Sequence, residues 1–374
     1  MQIVNLFSHH LITTYHDLNP TTPDILHEEP SPLEFMRYVA RNRPFVIKNG
    51  AASWKARQRW NSTYLKSVMA GQTVNVSLTP HGNADSVVSV PSGGNIFVKP
   101  YERTSDFSAV LDAIRSQSSH SPSTDERGPI RYAQTQNDNL RDEYSSLFAD
   151  VPPSIAFARV ALGQPPDAVN FWLGSAASTT ALHKDNYENV YVQILGEKHF
   201  VLMPPVDAPC VNERAVLAGT YAPKPRSAAT EEANADDTKT GDARSEGQEK
   251  SVTKPSGEDE DELVIQVDSP PSYVPFAMWD PDSPHKNSTP YSAYAQPMRV
   301  TLSEGDMLYL PALWYHKVSQ SCNEEGLCCA VNYWYDLDFT GGFWSTAGFV
   351  RSVGLLSQQG AGDEVGQEKA GVET

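Results

Sequence analysis

The feature that most limits the fold of this chain is a dense succession of β-strand patterns in its central part. Runs of branched and aromatic residues are separated by short turns, and several of these turns contain a glycine. The runs are Ala168–Leu173, Asn189–Leu195, Lys198–Met203, Arg299–Leu302, Asp306–Leu310 and Cys328–Tyr335. Such closely spaced short strands predict an antiparallel jelly-roll or barrel.

The first third of the chain alternates helix and strand signals. Ser31, Pro32 and Glu34 supply an N-cap, a proline at the first helical position and an acid in the first turn, which predicts a helix start. Further helices are predicted near 62–70 and 107–114, and strands near 44–50 and 74–79. We therefore expect a mainly β protein with flanking helices. Residues 1–130 are expected to form a helix and strand region packing on a β core of residues 131–340.

One segment differs from the rest in composition. Residues 222–272 contain no aromatic residue, and residues 231–262 within them hold twelve acidic and four basic side chains. Such a segment buries too little apolar surface to offset the entropy lost on ordering. We predict that 222–272 is a disordered acidic insertion in the core, which acts as a solvated tether or as an electrostatic arm for a basic partner. Residues 341–374 are predicted to form a helix followed, from about residue 357, by a disordered tail.

Charge and cysteine content exclude several classes of protein. The formal net charge is −17, which disfavours general binding to nucleic-acid phosphates. The four cysteines show no paired spacing typical of a zinc site or a disulfide framework. No secretory signal pattern and no membrane-spanning apolar stretch are present. We expect a cytoplasmic location, with a nuclear location as the alternative. We expect neither nucleic acid nor membrane as a direct partner.

A candidate metal site is formed by His183, Asp185 and His316. Side chains two residues apart in an extended segment point to the same face, so His183 and Asp185 can face one ion. His316 follows the strand pattern GDMLYLP. Two histidines and one carboxylate on one face are typical of non-haem Fe(II) oxygenases. A His-x-Asp pair alone is a weak signal, and a surface histidine beside a solvated aspartate is the alternative.

Two further side chains favour a bound dicarboxylate. Lys198 lies in the apolar strand pattern EKHFVLMPP, where an ammonium group is costly unless it finds a counter-charge. Thr180 offers a hydroxyl on the same edge as His183. The alternatives are a lysine that extends to solvent from an edge strand and an ordinary turn hydroxyl. His199 alternates with Lys198, so we expect it to face away and to be structural.

These blocks together resemble the cupin-like Jumonji-C family, and most closely its small (3S)-lysyl hydroxylase subgroup. The similar segments are LHKDNYENVYVQILGEKHFVLMPP, AVNFWLGSAASTTALH, EGDMLYLPALWYHKV and AVNYWYD, with PLEFMRYVARNRPFVIKN and VNVSLTPHGNADSV nearer the N-terminus. They occur in the family's order between residues 31 and 339. The resemblance implies a double-stranded β-helix, Fe(II) bound by the candidate triad, and 2-oxoglutarate as cosubstrate.

The same resemblance implies roles for further residues. Lys198 pairs with the distal carboxylate of 2-oxoglutarate, and the hydroxyls of Thr180 and Tyr132 contact that carboxylate. Asn189 and Asn332 line the cosubstrate pocket. Trp172 and Trp334, by contrast, are expected to pack in the core, with lining of the pocket as the alternative.

Several functions remain open on the sequence. The family pattern favours a hydroxylase acting on a lysine of a protein substrate, for which a translation-associated GTPase is one candidate. The alternatives are a methyl-lysine demethylase, a peptidase and a non-catalytic cupin-like binding module. No HExxH motif or nucleophile and base arrangement supports the peptidase. The segment FTGGFWSTAGFVRSVGLL is a candidate for a dimerising C-terminal helix, so a homodimer is considered as well.

Overall fold

The computed structural model describes residues 2–91, 93–119, 128–224 and 262–370. The helices are α1 Gln2–Leu18, α2 Pro32–Arg41, α3 Lys55–Arg59, α4 Ser62–Val68, α5 Phe107–Ser119, α6 Ala156–Leu162 and α7 Phe343–Ala370. The first nine strands are β1 Asp24–Leu26, β2 Phe45–Ile47, β3 Thr73–Thr79, β4 Ser86–Ser89, β5 Asn95–Lys99, β6 Tyr101–Asp106, β7 Ile130–Ala133, β8 Ala168–Gly174 and β9 Thr180–His183. The others are β10 Tyr187–Leu195, β11 Glu197–Met203, β12 Glu213–Pro223, β13 Leu263–Val267, β14 Tyr273–Ala277, β15 Met298–Leu302, β16 Met307–Leu310, β17 Tyr315–Ser321 and β18 Cys328–Asp336.

Two facing sheets form the jelly-roll that the strand pattern predicts. One is a nine-stranded sheet in the order β1-β2-β16-β10-β18-β8-β7-β3-β6, and the other is the four-stranded sheet β15-β11-β17-β9. Strands β10, β16, β18 and β8 pair antiparallel, as do β15, β11, β17 and β9. The fold is a double-stranded β-helix, in agreement with the predicted class. Strands from the first 130 residues extend the larger sheet.

Alternation along the strands divides the core into two layers. On β10, Val190 and Val192 face the helices that cover the nine-stranded sheet, and they belong to the largest apolar cluster. The intervening Tyr191 faces the space between the two sheets, where it packs with Phe200 of β11. The same alternation on β18 sends Asn332 into that inter-sheet space. The polar residues of the site therefore lie inside the barrel because of strand periodicity.

The predicted N-terminal elements are present with small changes in length. The side chain of Ser31 caps α2 by accepting a hydrogen bond from the Glu34 backbone N–H at 3.2 Å. The predicted helices near 62–70 and 107–114 correspond to α4 and α5. The sequence interpretation did not anticipate α1, β17 or the sheet formed by β12, β13 and β14. Among the described residues, none of the helices combines the length and apolar composition needed to cross a membrane.

Two predicted disordered regions were drawn too widely. Residues 263–267 form β13, which pairs antiparallel with Gly219–Pro223, because LVIQV offers branched residues suited to a sheet. The predicted limits of 222–272 are therefore wrong at both ends, and residues 225–261 lie outside the described part. The tail predicted from residue 357 is also wrong as far as Ala370. Helix α7 continues to that point through residues such as Gln, Glu, Lys and Ala that favour helix.

A third sheet closes one side of the barrel mouth. It has the order β13-β12-β5-β4, and β14 also pairs with β12. Helix α7 also reaches the mouth, where residues of its first turns line the same cavity as residues of β14. The barrel interior, this sheet and α7 together enclose the cavity that holds the candidate site.

Candidate metal centre

Adjacent strands of the four-stranded sheet bring the three predicted metal ligands together. His183 ends β9 and lies directly opposite His316 of β17 in the antiparallel register. Asp185 follows two residues after His183, and its Oδ2 lies 3.8 Å from His183 Nε2 and 3.6 Å from His316 Nε2. All three potential donor atoms lie within 4.8 Å of one another. The fold thus brings together residues that are far apart in the sequence.

Backbone carbonyls fix which nitrogen of each histidine faces the common centre. The Nδ1 of His183 lies 2.8 Å from the Ala181 carbonyl oxygen, and the Nδ1 of His316 lies 3.0 Å from that of Trp314. A carbonyl can only accept, so both Nδ1 atoms carry the proton and both Nε2 atoms present lone pairs. These are the partners that orient the imidazoles.

The electrostatic setting keeps His316 in the form that binds a metal. Burial, reinforced by the neighbouring His183, lowers the pKa of His316 to about 4. The imidazole is therefore neutral near pH 7, and no proton has to leave it when a metal ion binds. Ligand bonds of about 2.1 Å require donors within roughly 4 Å of each other. The two histidine-to-aspartate distances meet that requirement, and all three donor atoms lie within 4.8 Å of one another, close enough to converge on one ion.

The candidate ligands open onto a cavity of about 600 Å³. The five residues predicted to contact the cosubstrate all line it: Tyr132, Thr180, Asn189, Lys198 and Asn332. Asn332 connects two others, since its Nδ2 donates to Asn189 Oδ1 at 3.1 Å and its Oδ1 accepts from Trp172 Nε1 at 2.8 Å. Their roles toward a cosubstrate remain predictions.

Lys198 is a buried cation beside this centre. Its side chain is on the inner face of β11, the residue is 3% exposed, and its Nζ donates to the Tyr132 hydroxyl at 2.9 Å. Burial raises the pKa of Tyr132, so this hydroxyl is neutral and supplies no counter-charge. No carboxylate among the described residues forms an ion pair with Lys198. A buried ammonium without an acid partner fits an anionic cosubstrate.

The structure bears on three other residues for which the sequence made a prediction. His199 faces the outer side of the sheet, where its Nδ1 lies 3.1 Å from Thr301 Oγ1 and its Nε2 lies 2.8 Å from Ser321 Oγ, as predicted for a structural residue. The assignment of Trp172 and Trp334 to core packing was wrong in part. Both line the cavity, because strand alternation directs them between the sheets.

Sequence reasoning missed a charged network beside the candidate metal ligands. Lys184 lies between His183 and Asp185 in sequence, and its Nζ donates to Glu213 Oε2 at 3.1 Å and to the Tyr315 hydroxyl at 3.0 Å. Arg351 of α7 donates to Glu213 from the other side. Although burial opposes ionisation of Glu213, Arg351 and Lys184 hold its pKa below the usual value. No spacing in the sequence links these residues, which come from the loop after β9, from β12 and from α7.

Comparison with known proteins agrees with the geometry. The family model described as a cupin-like domain matches residues 30–341. The human bifunctional peptidase and (3S)-lysyl hydroxylase JMJD7 is 36% identical over 86% of this chain and 86% of its own length. The Arabidopsis thaliana lysine-specific demethylase JMJ32 is 31% identical over 85% and 83%, and the Dictyostelium discoideum JmjC domain-containing protein E is 32% identical over 83% and 83%. The chain belongs to the cupin-like Jumonji-C family.

Proposed function

We propose that this protein is an Fe(II)- and 2-oxoglutarate-dependent oxygenase that hydroxylates a lysine side chain of another protein. The observation that carries the proposal is the convergence of His183, Asp185 and His316 beside the buried ammonium of Lys198. Among the relatives named above, the one with the highest identity is the bifunctional peptidase and (3S)-lysyl hydroxylase, and the second part of its name supports the choice of lysine. A binding module without catalysis has no need of both an ion site and an unpaired buried cation.

Each group has a distinct task in this proposal. His183, Asp185 and His316 hold the iron, and Lys198 pairs with the distal carboxylate of 2-oxoglutarate. The hydroxyls of Tyr132 and Thr180 donate to that carboxylate, and Asn189 and Asn332 form the wall of the same pocket. With dioxygen as the oxidant, the bound iron would couple decarboxylation of 2-oxoglutarate to the conversion of a substrate C–H group into C–OH. One oxygen atom would enter succinate and the other the substrate, and carbon dioxide would be released.

Demethylation of methyl-lysine is the second candidate. It is supported by the name of the Arabidopsis relative, a lysine-specific demethylase, and it needs the same metal site. The two functions are separated by mass spectrometry after incubation with two substrates. These are a lysine peptide from a translation-associated GTPase and a methylated histone tail. Gain of one oxygen atom by the first supports hydroxylation, and loss of a methyl group from the second supports demethylation.

A homodimer is the proposed assembly. Large apolar side chains are exposed on two helices that contact each other, with Phe7 at 65% on α1 and Phe349 and Leu356 at 68% and 65% on α7. A second copy covering this surface removes it from water. Light scattering of the purified chain measures the mass directly. We expect twice the chain mass for the wild type and a monomer for the Phe349→Ser variant.

A further inference from the structure

The charges that line the cavity can be sorted by whether they have a partner. Lys184 and Arg351 both pair with Glu213. Asp185 belongs to the candidate metal centre, and Lys198 is the cation proposed for the cosubstrate. One further charged side chain lines the cavity, that of Asp85. Among the described residues, its carboxylate has neither a hydrogen bond nor an ion pair. The cavity therefore contains one negative charge that neither the metal nor the cosubstrate explains.

The backbone holds Asp85 firmly beside the strand that carries His183. Gly82, which begins its loop, contacts the segment before β9 so closely that a Cβ would lie 2.0 Å from the Ala177 carbonyl oxygen. The Thr179 N–H donates to the Gly82 carbonyl at 2.8 Å. On the other side of Asp85, the Ser86 hydroxyl donates to the Asn83 carbonyl at 2.7 Å. The backbone position of Asp85 is thus determined by the fold.

The wall next to Asp85 is apolar. Strand β4 begins directly after Asp85 and pairs with β5, which contributes Phe97. Phe97 packs against Phe276 of β14 with ring centroids 5.0 Å apart, and both rings line the cavity. Burial raises the pKa of Asp85, whereas protonation of the nearby His183 would lower it. An apolar wall that leads to a single carboxylate near the metal ligands is complementary to a long side chain with a cationic end.

We propose that Asp85 is the residue that selects the substrate, by receiving the ammonium group of a lysine whose aliphatic stem lies along Phe97 and Phe276. This inference rests on the proposed function, because the substrate side chain enters the same cavity. A cationic head bound by a partly desolvated carboxylate is distinguished from a neutral analogue by charge alone. The apolar wall, by contrast, accepts both equally.

The test uses two probes with the same four-carbon side-chain stem, Nα-acetyl-lysine N-methylamide and Nα-acetyl-norleucine N-methylamide, of which only the first carries a terminal ammonium group. Binding is followed by tryptophan fluorescence, since Trp172, Trp334 and Trp344 line the cavity. The variant is Asp85→Asn, which keeps the shape and tolerates the positive φ of 49° at this position. Asp142→Asn, at an exposed position on the surface, is the matched control.

We expect the wild type and Asp142→Asn to bind the lysine probe at least about tenfold more tightly than the norleucine probe. Asp85→Asn should bind both probes with similar affinity. A lysine preference that survives in Asp85→Asn, or no preference in the wild type, overturns the assignment. A wild type that prefers the lysine probe but forms no succinate would refute the oxygenase and leave the cation site standing.

Discussion

At the scale of single residues, the site depends on side chains that the fold holds in unusual settings. His316 is buried with a lone pair facing a carboxylate, and Lys198 is buried without an acid. Neither arrangement stabilises the protein when no ion or cosubstrate is bound, because each places a polar or charged group where water is excluded. Both settings become favourable when an ion and an anion are bound. The two residues therefore give separate tests of the metal site and of the cosubstrate site.

The first test at this scale replaces Lys198 by methionine. The change removes a buried cation that lacks a carboxylate partner, so the unfolding temperature of the metal-free protein should stay the same or rise. Affinity for 2-oxoglutarate, measured by calorimetry with Mn(II) in place of iron, should fall at least about tenfold. Lys286→Met, at an exposed position, is the control. A variant that loses stability but keeps its affinity for 2-oxoglutarate would show that the lysine is structural.

The second test concerns the pH dependence of stability. The pKa of His316 is about 4 in the folded chain and near its ordinary value in the unfolded chain. Between these values the unfolded chain binds a proton that the folded chain does not, so stability falls as the pH drops through this window. From pH 6.5 to pH 4.5, metal-free wild type should lose about 2–3 kcal/mol more than His316→Asn in urea titrations. Parallel losses in the two proteins would contradict the buried neutral imidazole.

At the scale of elements, Glu213 of β12 links α7 to the segment that carries the candidate metal ligands His183 and Asp185. It accepts from Arg351 of α7 and from Lys184, so two cations meet at one carboxylate that is 5% exposed. Its removal leaves those cations facing each other in a partly buried place. The network therefore couples the position of the helix to that of the ligands.

The variant Glu213→Gln tests this coupling. We expect a loss of about 3 kcal/mol in the free energy of unfolding, the magnitude typical of breaking a buried ion pair. Weaker metal binding should accompany it, because Lys184 lies between His183 and Asp185. The exposed Glu28→Gln is the control and should change stability by less than about 0.5 kcal/mol. If Glu213→Gln unfolds like the control, the network contributes nothing.

Some strands of the barrel could be predicted from the sequence and others could not. The strands that carry Asn189, Lys198 and Asn332 were predicted from their runs of branched and aromatic residues between short turns. The strand β17 that holds His316 was missed, since YHKVSQS is polar on one face and has no glycine or proline at its start. The outer sheet of β12, β13 and β14 was missed for a similar reason, because part of it falls in the segment whose composition predicted disorder.

At the scale of the whole molecule, the triad could be predicted but its surroundings could not. The triad follows from a local pair, a distant histidine and the resemblance of several blocks. The contributions of Asp85, Glu213 and Arg351 depend on the third sheet and α7 closing over the barrel mouth. That arrangement arises from long-range packing, which no local pattern records. Asp85 lies in the block VNVSLTPHGNADSV, so the resemblance marked its segment without indicating its place in the cavity.

The central claim is that His183, Asp185 and His316 hold one ferrous ion which drives turnover of 2-oxoglutarate. Formation of succinate from 2-oxoglutarate with added Fe(II) and oxygen tests this claim most directly, in wild type, His183→Ala and His199→Ala. His199→Ala is the matched control, since His199 is on the same sheet but faces outward. We predict that His183→Ala lowers the rate of succinate formation by more than about 100-fold, which exceeds the effect of losing a group that merely orients a ligand. His199→Ala should leave the rate unchanged. Equal rates in wild type and His183→Ala would contradict the metal centre.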